Sequence, residues 1–474
     1  MSNQILTADI TVYSGAAETT RYLASENFPA TAQPYTGKLF AETIFERRLE
    51  QPFGGRAYAS VGALLIDNSD GVYDSWLTDT FDGRTLTLKV GDSTDYAMSS
   101  FSTLLVGESD RIEVPDLKSL RLVTRDRMNK LNAPVQTALI GGSGPNKDRP
   151  KPLCFGEVYN VTPALINDTT HEYQVHDGQI EDIVTVYENG VATALTVTED
   201  LTNGKFTLSA KPSGQLTCDV KGAKPSGTYL TKSGEIIKHI IINQGGIAAG
   251  DVNTSSITTL DTDAPYTIGV FVPDRRNTID VLDEIITSVG GYYGFTRAGV
   301  FFVGRLVAPT GTAVTDIGDH DIVGEPQVTF DQTPLKQVRL FYKRNWTVIT
   351  AGVATTIAEA QRAYLLEKGL IYATTEDAAI VAAHPRAQAP DAVLTLIAGL
   401  ADATTEAARR ATLFGTQRFK YKVQVHSDET TALNLGDIVT LTDERYGLSA
   451  GKKCLVIGIR EYVLDSRAEL ELWA

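Results

Sequence analysis

Two groups of residues have the side chains to hold a cation. One is the run Asp67-Asn68-Ser69-Asp70-Gly71; the other is His171 and His176 with Asp168 and Asp177 beside them. An EF-hand loop needs oxygen donors at its first, third and fifth positions, Gly at the sixth and a bidentate Glu at the twelfth. Counted from Asp67, Gly71 falls one place early and Thr78 stands where the Glu belongs. The run therefore reads as a turn in which Asp and Asn bond their own backbone. The spacing of the two histidines fits one face of neither a helix nor a strand, and the remaining histidines, at 239, 320, 384 and 426, are scattered. Gly447-Leu448-Ser449-Ala450-Gly451-Lys452-Lys453 resembles a phosphate loop but is one residue short between its glycines, lacks Ser or Thr after Lys, and lies between strands. Ser143, in Gly141-Gly142-Ser143-Gly144-Pro145, lacks the final Gly and the strand–turn–helix context of a nucleophile elbow. Cys154, Cys218 and Cys454 are far apart, which excludes a disulfide scaffold and any four-Cys zinc or iron–sulfur site. No carboxylate pair stands out as an acid–base dyad. The residues thus assign no catalytic, cofactor-binding or metal-ligating position, and the expectation is a structural or binding protein, not an enzyme.

The elements that would carry these residues are mostly strands. Leu86, Leu88 and Val90 alternate with polar residues after the turn Asp82-Gly83, and 118–124 is a second short strand. The stretch 141–152 is Gly, Pro and charge with no apolar run, so it reads as a linker. Asn189-Gly190 and Asn203-Gly204 are type I′ hairpin signals that predict a meander of 183–187, 192–198 and 205–209 in a small all-β module. Thr278 is expected to cap a helix with Ile279, Leu282, Ile285, Ile286 and Val289 on one face, stopped by Gly290-Gly291. A hairpin around Ala298-Gly299 follows. Then come a strand at 338–342, helices at 357–368, 376–383 and 405–414, and antiparallel strands at 419–425, 438–442, 454–459 and 468–472. Lys420 and Lys422 share the solvated face of the first of these, a pattern of solubility or edge protection rather than of a nucleic-acid groove. There is no fixed-period repeat.

The chain has 474 residues, room for two to four domains with proper cores at ~100–200 residues each. The reading divides it into an N-terminal β domain at 1–150, a small β module at 151–250 that is a possible insertion, an α+β helix–hairpin domain at 251–330, and a C-terminal domain at 331–474 of helices followed by an antiparallel barrel. Lys+Arg number 43 against 58 Asp+Glu, a formal net charge of -15, which disfavours grip on a phosphate backbone. No apolar run is long enough for a membrane span, and Met1-Ser2-Asn3-Gln4-Ile5-Leu6 shows no signal peptide. Without such a signal the four Asn-x-Ser/Thr triplets, at Asn160, Asn167, Asn253 and Asn345, carry no message about glycosylation.

Several stretches in order resemble the baseplate hub and tail-tip family of long-tailed phages and tail-like particles. Asn68, Asp70, Gly71 and Asp74 match its opening turn, followed by Asp82-Gly83-Arg84. Next come 151–163, with Phe155-Gly156-Glu157-Val158-Tyr159, and 173–178 ahead of 186–190. The stretch 290–295 to 304–306 resembles the helix–hairpin domain, and 342–347, 435–439, 446–448 and 470–473 close the series. The resemblance implies a mainly β, multi-domain fold with α+β parts, including tail-tube-like β-barrel domains. It implies a homotrimer that joins the tail tube, distal tail proteins and tape-measure protein to spike or fibre proteins and surrounds the DNA exit path. It implies a place in the virion, at the tail tip or baseplate, after synthesis in the host cytoplasm, with no cofactor, no specific nucleic-acid binding and no stable membrane insertion. An acidic lumen would not hold passing DNA. The aromatic stretches Tyr292-Tyr293 and Tyr342 to Trp346 are candidates for the trimer interface. The alternative is a receptor- or glycan-binding tail protein, with 180–210 as the place for its site.

Overall fold

The computed structural model describes residues 4–40, 44–50, 55–60, 62–350, 352–354, 356–430 and 433–474. Met1-Ser2-Asn3, the start of the stretch read for a signal peptide, lies outside the described residues. The chain is mainly β, with helices concentrated in its middle and before its last strands. Among the described residues no helix is long and apolar enough to cross a membrane.

The N-terminal unit is a sheet in the order Thr36–Gly37, Ala17–Ala24, Gln4–Ser14, Arg84–Asp92, Ser102–Asp116, Ser119–Arg125, Ala63–Asp67. It closes on itself through 38–40. The Lys38 and Leu39 amides donate to the Ala24 carbonyl on one edge, and Phe40 donates to Leu65 and Asp67 to Lys38 on the other. Closure leaves no free edge between those strands. Leu6, Ala8, Ile10 and Val12 alternate inward with Leu86 and Leu88, and Trp76 plugs the same core. The predicted alternation holds, with Val90 half-buried against the core.

The next unit is a sandwich. One sheet runs Val191–Ala192, Ile180–Glu188, Leu216–Ala223, Leu153–Val161, Gly269–Val272; the other runs Ala164–Asn167, Glu172–Gln174, Lys205–Leu208, Val197–Asp200. Val158, Val186 and Val220 from the first sheet meet Tyr173, Phe206 and Leu208 from the second in one core. Both Asn-Gly signals mark hairpins; Asn189 and Gly190 have the positive φ of a type I′ turn, 52° and 83°. The continuous meander does not form. Ile180–Glu188 pairs along its length with Leu216–Ala223, and the chain crosses between sheets after Ala192. Covering Phe206 and Leu208 from both sides is what the crossing achieves. The stretch 141–152 folds back on itself, with Ile140 donating to Arg149 and Lys151 to Ala138. It shields the strand Ala164–Asn167 so closely that a Cβ on Gly144 would stand 1.9 Å from the Ile166 carbonyl oxygen.

The block expected to be all β also contains the helix Ser233–Asn243. Its Ile236, Ile237, Ile240 and Ile241 are fully buried. Such a β-branched run carries a strand propensity, which tertiary packing overrides here. The helix Thr254–Asp263 and the helix Thr278–Ser288 share its core with Tyr293 and Phe301 of the hairpin Gly291–Phe295/Phe301–Arg305. Asn277, not Thr278, is the cap residue of the predicted helix; Thr278 is buried inside it, its hydroxyl donating to the Ala133 carbonyl. Gly290 (φ 63°) ends it as expected.

The largest sheet runs Phe301–Arg305, Gly291–Phe295, Gly55–Ser60, Ile44–Leu49, Lys452–Tyr462, Arg467–Trp473, Arg418–His426, Gln327–Gln332, with Ile438–Leu441 and Thr315–Ile317 beside it. The predicted last strands are all present and antiparallel. Two strands from the start of the chain are built into this sheet, since Ile44–Leu49 pairs with Lys452–Tyr462. The three predicted helices are Glu359–Leu366, Ala378–Ala383 and Leu400–Phe414.

Candidate functional site

Most of the residues singled out for chemistry have structural partners. Asp67 and Asp70 share the Lys38 ammonium at 3.1 and 2.8 Å, so a side chain of this chain stands where a cation would. The Ser69 amide and hydroxyl, with Lys38, hold the Asp67 carboxyl down to about 2. Buried Asn68 accepts from the Tyr73 amide at 2.8 Å and donates to Asp74 at 2.8 Å, which fixes the turn. His176 is buried, and its Nδ1 accepts from the Cys154 amide at 3.0 Å. Burial pushes that imidazole down to about 4, so it is neutral at pH 7. Asp177 pairs with Lys151, and Asp168 with Lys211. Among the described residues no group of three or more His, Cys, Asp or Glu could hold a metal ion. Ser143 is exposed in its loop, and the loop before Lys452 is a turn between strands. Lys420 and Lys422 pair with Asp331 and Glu469. Tyr292 and Tyr293 are buried in the cores of their own chain and are spent on folding, while Tyr342 and Trp346 pack partly buried against the helical core.

Two buried ion clusters that the spacing of residues did not single out hold the units together. In the first, Glu461 receives both arms of Arg297 and the Thr430 hydroxyl. The Arg297 backbone carbonyl accepts from Val106 of the N-terminal barrel. Beside it Arg47, 3% exposed, donates to the Leu433 carbonyl at 2.7 Å. Burial and the neighbouring Arg297 push its guanidinium down to about 9, still charged at pH 7. The pair lies at the end of a cleft of about 400 Å³ between barrel and large sheet, lined by short polar residues such as Asp92, Ser100, Ser102 and Thr103. Within the cleft the Arg297 and Glu461 charges are spent on each other.

In the second, Glu406 is fully buried among three guanidiniums. Arg305 reaches it at 2.6 Å, Arg409 at 2.8 Å through two nitrogens, and Arg410 at 2.6 Å. The arginines then spread outward. Arg410 donates to the Thr287 and Ser288 carbonyls at the end of one helix, Arg409 to Leu306, and Arg305 to Val289 and Asp263. Orphan carbonyls at helix C-termini are natural partners for cations. The visible signal was Glu406 with Arg409 and Arg410 at i+3 and i+4 on a predicted helix; that this face turns inward was not visible.

Among the exposed apolar residues, two groups are gathered by neighbouring strands. Leu117, at the tip of the hairpin Ser102–Asp116/Ser119–Arg125, is 95% exposed beside Phe40 and Leu65. Ile371, Phe341 and Leu394 lie in one cross-strand row of the sheet Leu370–Ala373/Arg339–Tyr342/Val393–Leu394, with Ile371 and Leu394 exposed.

No protein family and no curated protein matches the chain. Solved structures with a similar fold include a tail protein from Neisseria meningitidis MC58, 10% identical, with 98% of this chain and 96% of that one aligned at a TM-score of 0.46. The 43 kDa tail protein of prophage MuSo2 from Shewanella oneidensis is 12% identical over 99% of this chain and 98% of that one, at 0.45. A chain of a native gene transfer agent virion is 13% identical over 71% of this chain and 86% of that one, at 0.47.

Proposed function

We propose that the chain is a structural protein of a phage tail or a related tail-like particle, and within it the central hub of the baseplate or tail tip. In this reading it is a non-enzymatic homotrimer. It connects the tail tube and tape-measure protein to spike or fibre proteins and surrounds the path of the DNA. The organisation we propose is an N-terminal β domain at 1–150, a β module at 151–250, a helix–hairpin domain at 251–330 and a C-terminal domain at 331–474, with paired strands tying the first to the third and fourth, the second to the third, and the third to the fourth.

The observation that carries the reading is what the family-like stretches do. Asn68 and Asp74 fix a turn. Gly290 ends a helix, Tyr293 fills the core behind it, and Asn345 is a buried clip between segments. Asn345 joins two units, and the others brace the unit they stand in. Units interlocked through distant parts of one chain suit a connector under load. The exposed rows around Leu117 and Ile371 are the surfaces to test for contacts with other chains. Within 180–210, the alternative's place for a glycan site, Leu365 and Ile357 lie against Gly190 at the Asn189–Gly190 tip, which speaks at that tip for the connector over a receptor binder.

The test is the native mass of the purified protein by light scattering. A species near three times 51.2 kDa is expected. A clean monomer that binds host cells by itself would favour the receptor-binding alternative. Reproducible clearing of cell walls would overturn the non-enzymatic part.

A further inference from the structure

The strand Leu153–Val161 has two different neighbours on one edge. Its first half pairs with Gly269–Val272, which ends at the Gly156–Gly269 pair. Beyond that point the edge is covered by a segment from far along the chain. Tyr159 bridges Asn345 in parallel, and the Trp346 amide donates to the Tyr159 carbonyl at 3.2 Å. This segment is one arm, 343–349, of an excursion between two strands that pair directly with each other, Arg339–Tyr342 and Leu370–Ala373. The other arm is 359–369.

Asn345 fastens the two arms to each other and to the sandwich. Its Nδ2 serves the Tyr364, Leu365 and Glu367 carbonyls at 3.2, 3.1 and 2.8 Å, and its Oδ1 accepts from Asn160 Nδ2 at 2.8 Å. Asn160 also donates to the Thr347 carbonyl, and the Thr162 and Thr347 hydroxyls meet at 2.9 Å. The Lys343 ammonium lies 4.9 Å from the Tyr159 ring and 5.5 Å from that of Tyr364. Among the described residues the cluster under the arms buries Ile349, Tyr364 and Leu365; beyond it Trp346 packs partly buried against the helical and sandwich cores, edge-on to Phe271, and Arg344 pairs with Glu284. The junction also holds two buried polar atoms without a hydrogen-bond partner, Asn160 Oδ1 and the Tyr364 hydroxyl. Both regain water when the arms lift. Asn160 (φ 54°) and Lys343 (φ 48°) both sit in the left-handed region, a modest strain on either side of the contact.

We propose that the two arms, 343–349 and 359–369, form a releasable clasp that undocks as one unit from the edge of Leu153–Val161, hinged at the Tyr342–Leu370 pair. Opening uncovers the strand edge at Tyr159 and leaves the barrel, the sandwich core and the large sheet folded. Segments held by few buried apolar contacts open below the global unfolding free energy.

Native-state hydrogen exchange on the full chain, followed by mass spectrometry, tests this. Peptides from both arms are expected to share one opening, exchanging faster than the core of Leu216–Ala223 or the ladder Arg339–Tyr342/Leu370–Ala373. Asn345→Ala should raise exchange in both arms together by about 10–100-fold, with the flanking ladder unchanged. If that variant folds poorly, Asn160→Gly keeps the left-handed backbone and removes only the side chain with its carboxamide, and should accelerate the same two arms. Exchange of the arms only with global unfolding, or acceleration of one arm without the other, overturns the proposal.

Discussion

Glu406→Gln is the most informative single change in this chain. The substitution keeps volume and shape, so no cavity forms; it removes one negative charge and replaces one acceptor oxygen with a donor. Glu406 is 0% exposed, and the Arg305 and Arg410 side chains against it are 6% and 9% exposed. Removing the carboxylate therefore leaves two buried guanidiniums and the more exposed Arg409 facing one another. Breaking a buried ion pair from one side costs about 3–5 kcal/mol, because the surviving charge is stranded out of water. That is a large fraction of the ~5–15 kcal/mol that holds a domain folded. Arg409 is 22% exposed, and its loss leaves Glu406 with two partners, so Arg409→Ala should cost less than Glu406→Gln. Burial pushes the Glu406 carboxyl up, but the Arg409 hydrogen bonds and the charges of Arg410, Arg409 and Arg305 outweigh it and hold the group below the ordinary range. The folded value being the lower one, this contribution is full above the unfolded pKa of about 4.3 and is lost as pH falls through the folded value. The assay is hydrogen exchange in urea, at fixed protein concentration, read in the helices Thr278–Ser288 and Leu400–Phe414. A Glu406→Gln cost within about 1 kcal/mol of zero, or an Arg409→Ala cost equal to it, would refute the argument that a dry carboxylate anchors these helix ends.

Two further outcomes concern pH. Asp261 accepts from the Gly234 and Glu235 amides at 2.6 and 2.9 Å, and burial with the nearby Glu235 carboxylate pushes it up to about 6. Between about pH 4 and that value the folded chain holds a proton the unfolded chain has lost, so this group's contribution falls as pH rises through the window. Asp261→Asn should flatten that part of the urea-midpoint profile. His176 acts oppositely: with its folded value near 4 and an unfolded value of about 6.5, its contribution falls as pH drops through that interval. His176→Leu should remove this acid loss and, by stranding the Cys154 amide, cost about 1–3 kcal/mol at pH 7, measured by the same midpoints.

Local order in this chain was legible because it is set by neighbours in sequence. The alternation of Leu86 and Leu88, the Asn189-Gly190 turn and the helix through Ile285 were all read from spacing, and the structure has them. What escaped the sequence depends on partners far away. The isoleucines of Ser233–Asn243 look like a strand until two other helices surround them. The 192–198 region reads as the middle of a meander until Phe206 needs cover from a second sheet. Asn160 and Asn345 looked like two unrelated sugar-acceptor triplets, yet they are each other's partners. Glu406 and Glu461 were two acidic residues among 58, and only burial separates them from the rest.

Arg48 lies opposite Gly458 in the largest sheet, and that pairing sets a clock on biosynthesis. At ~5–20 residues per second a ribosome needs roughly 20–80 s to travel from one to the other. The barrel can close early, since its strands end at Arg125. Ile44–Leu49 must wait for Lys452–Tyr462 with one edge unpaired. During that wait the nascent chain is vulnerable to wrong strand pairing, and chaperone cover of this one edge should govern its yield. The surface built on the finished sheet then exists only on chains translated through their last strands, so stalled fragments cannot enter an assembly that recognises it.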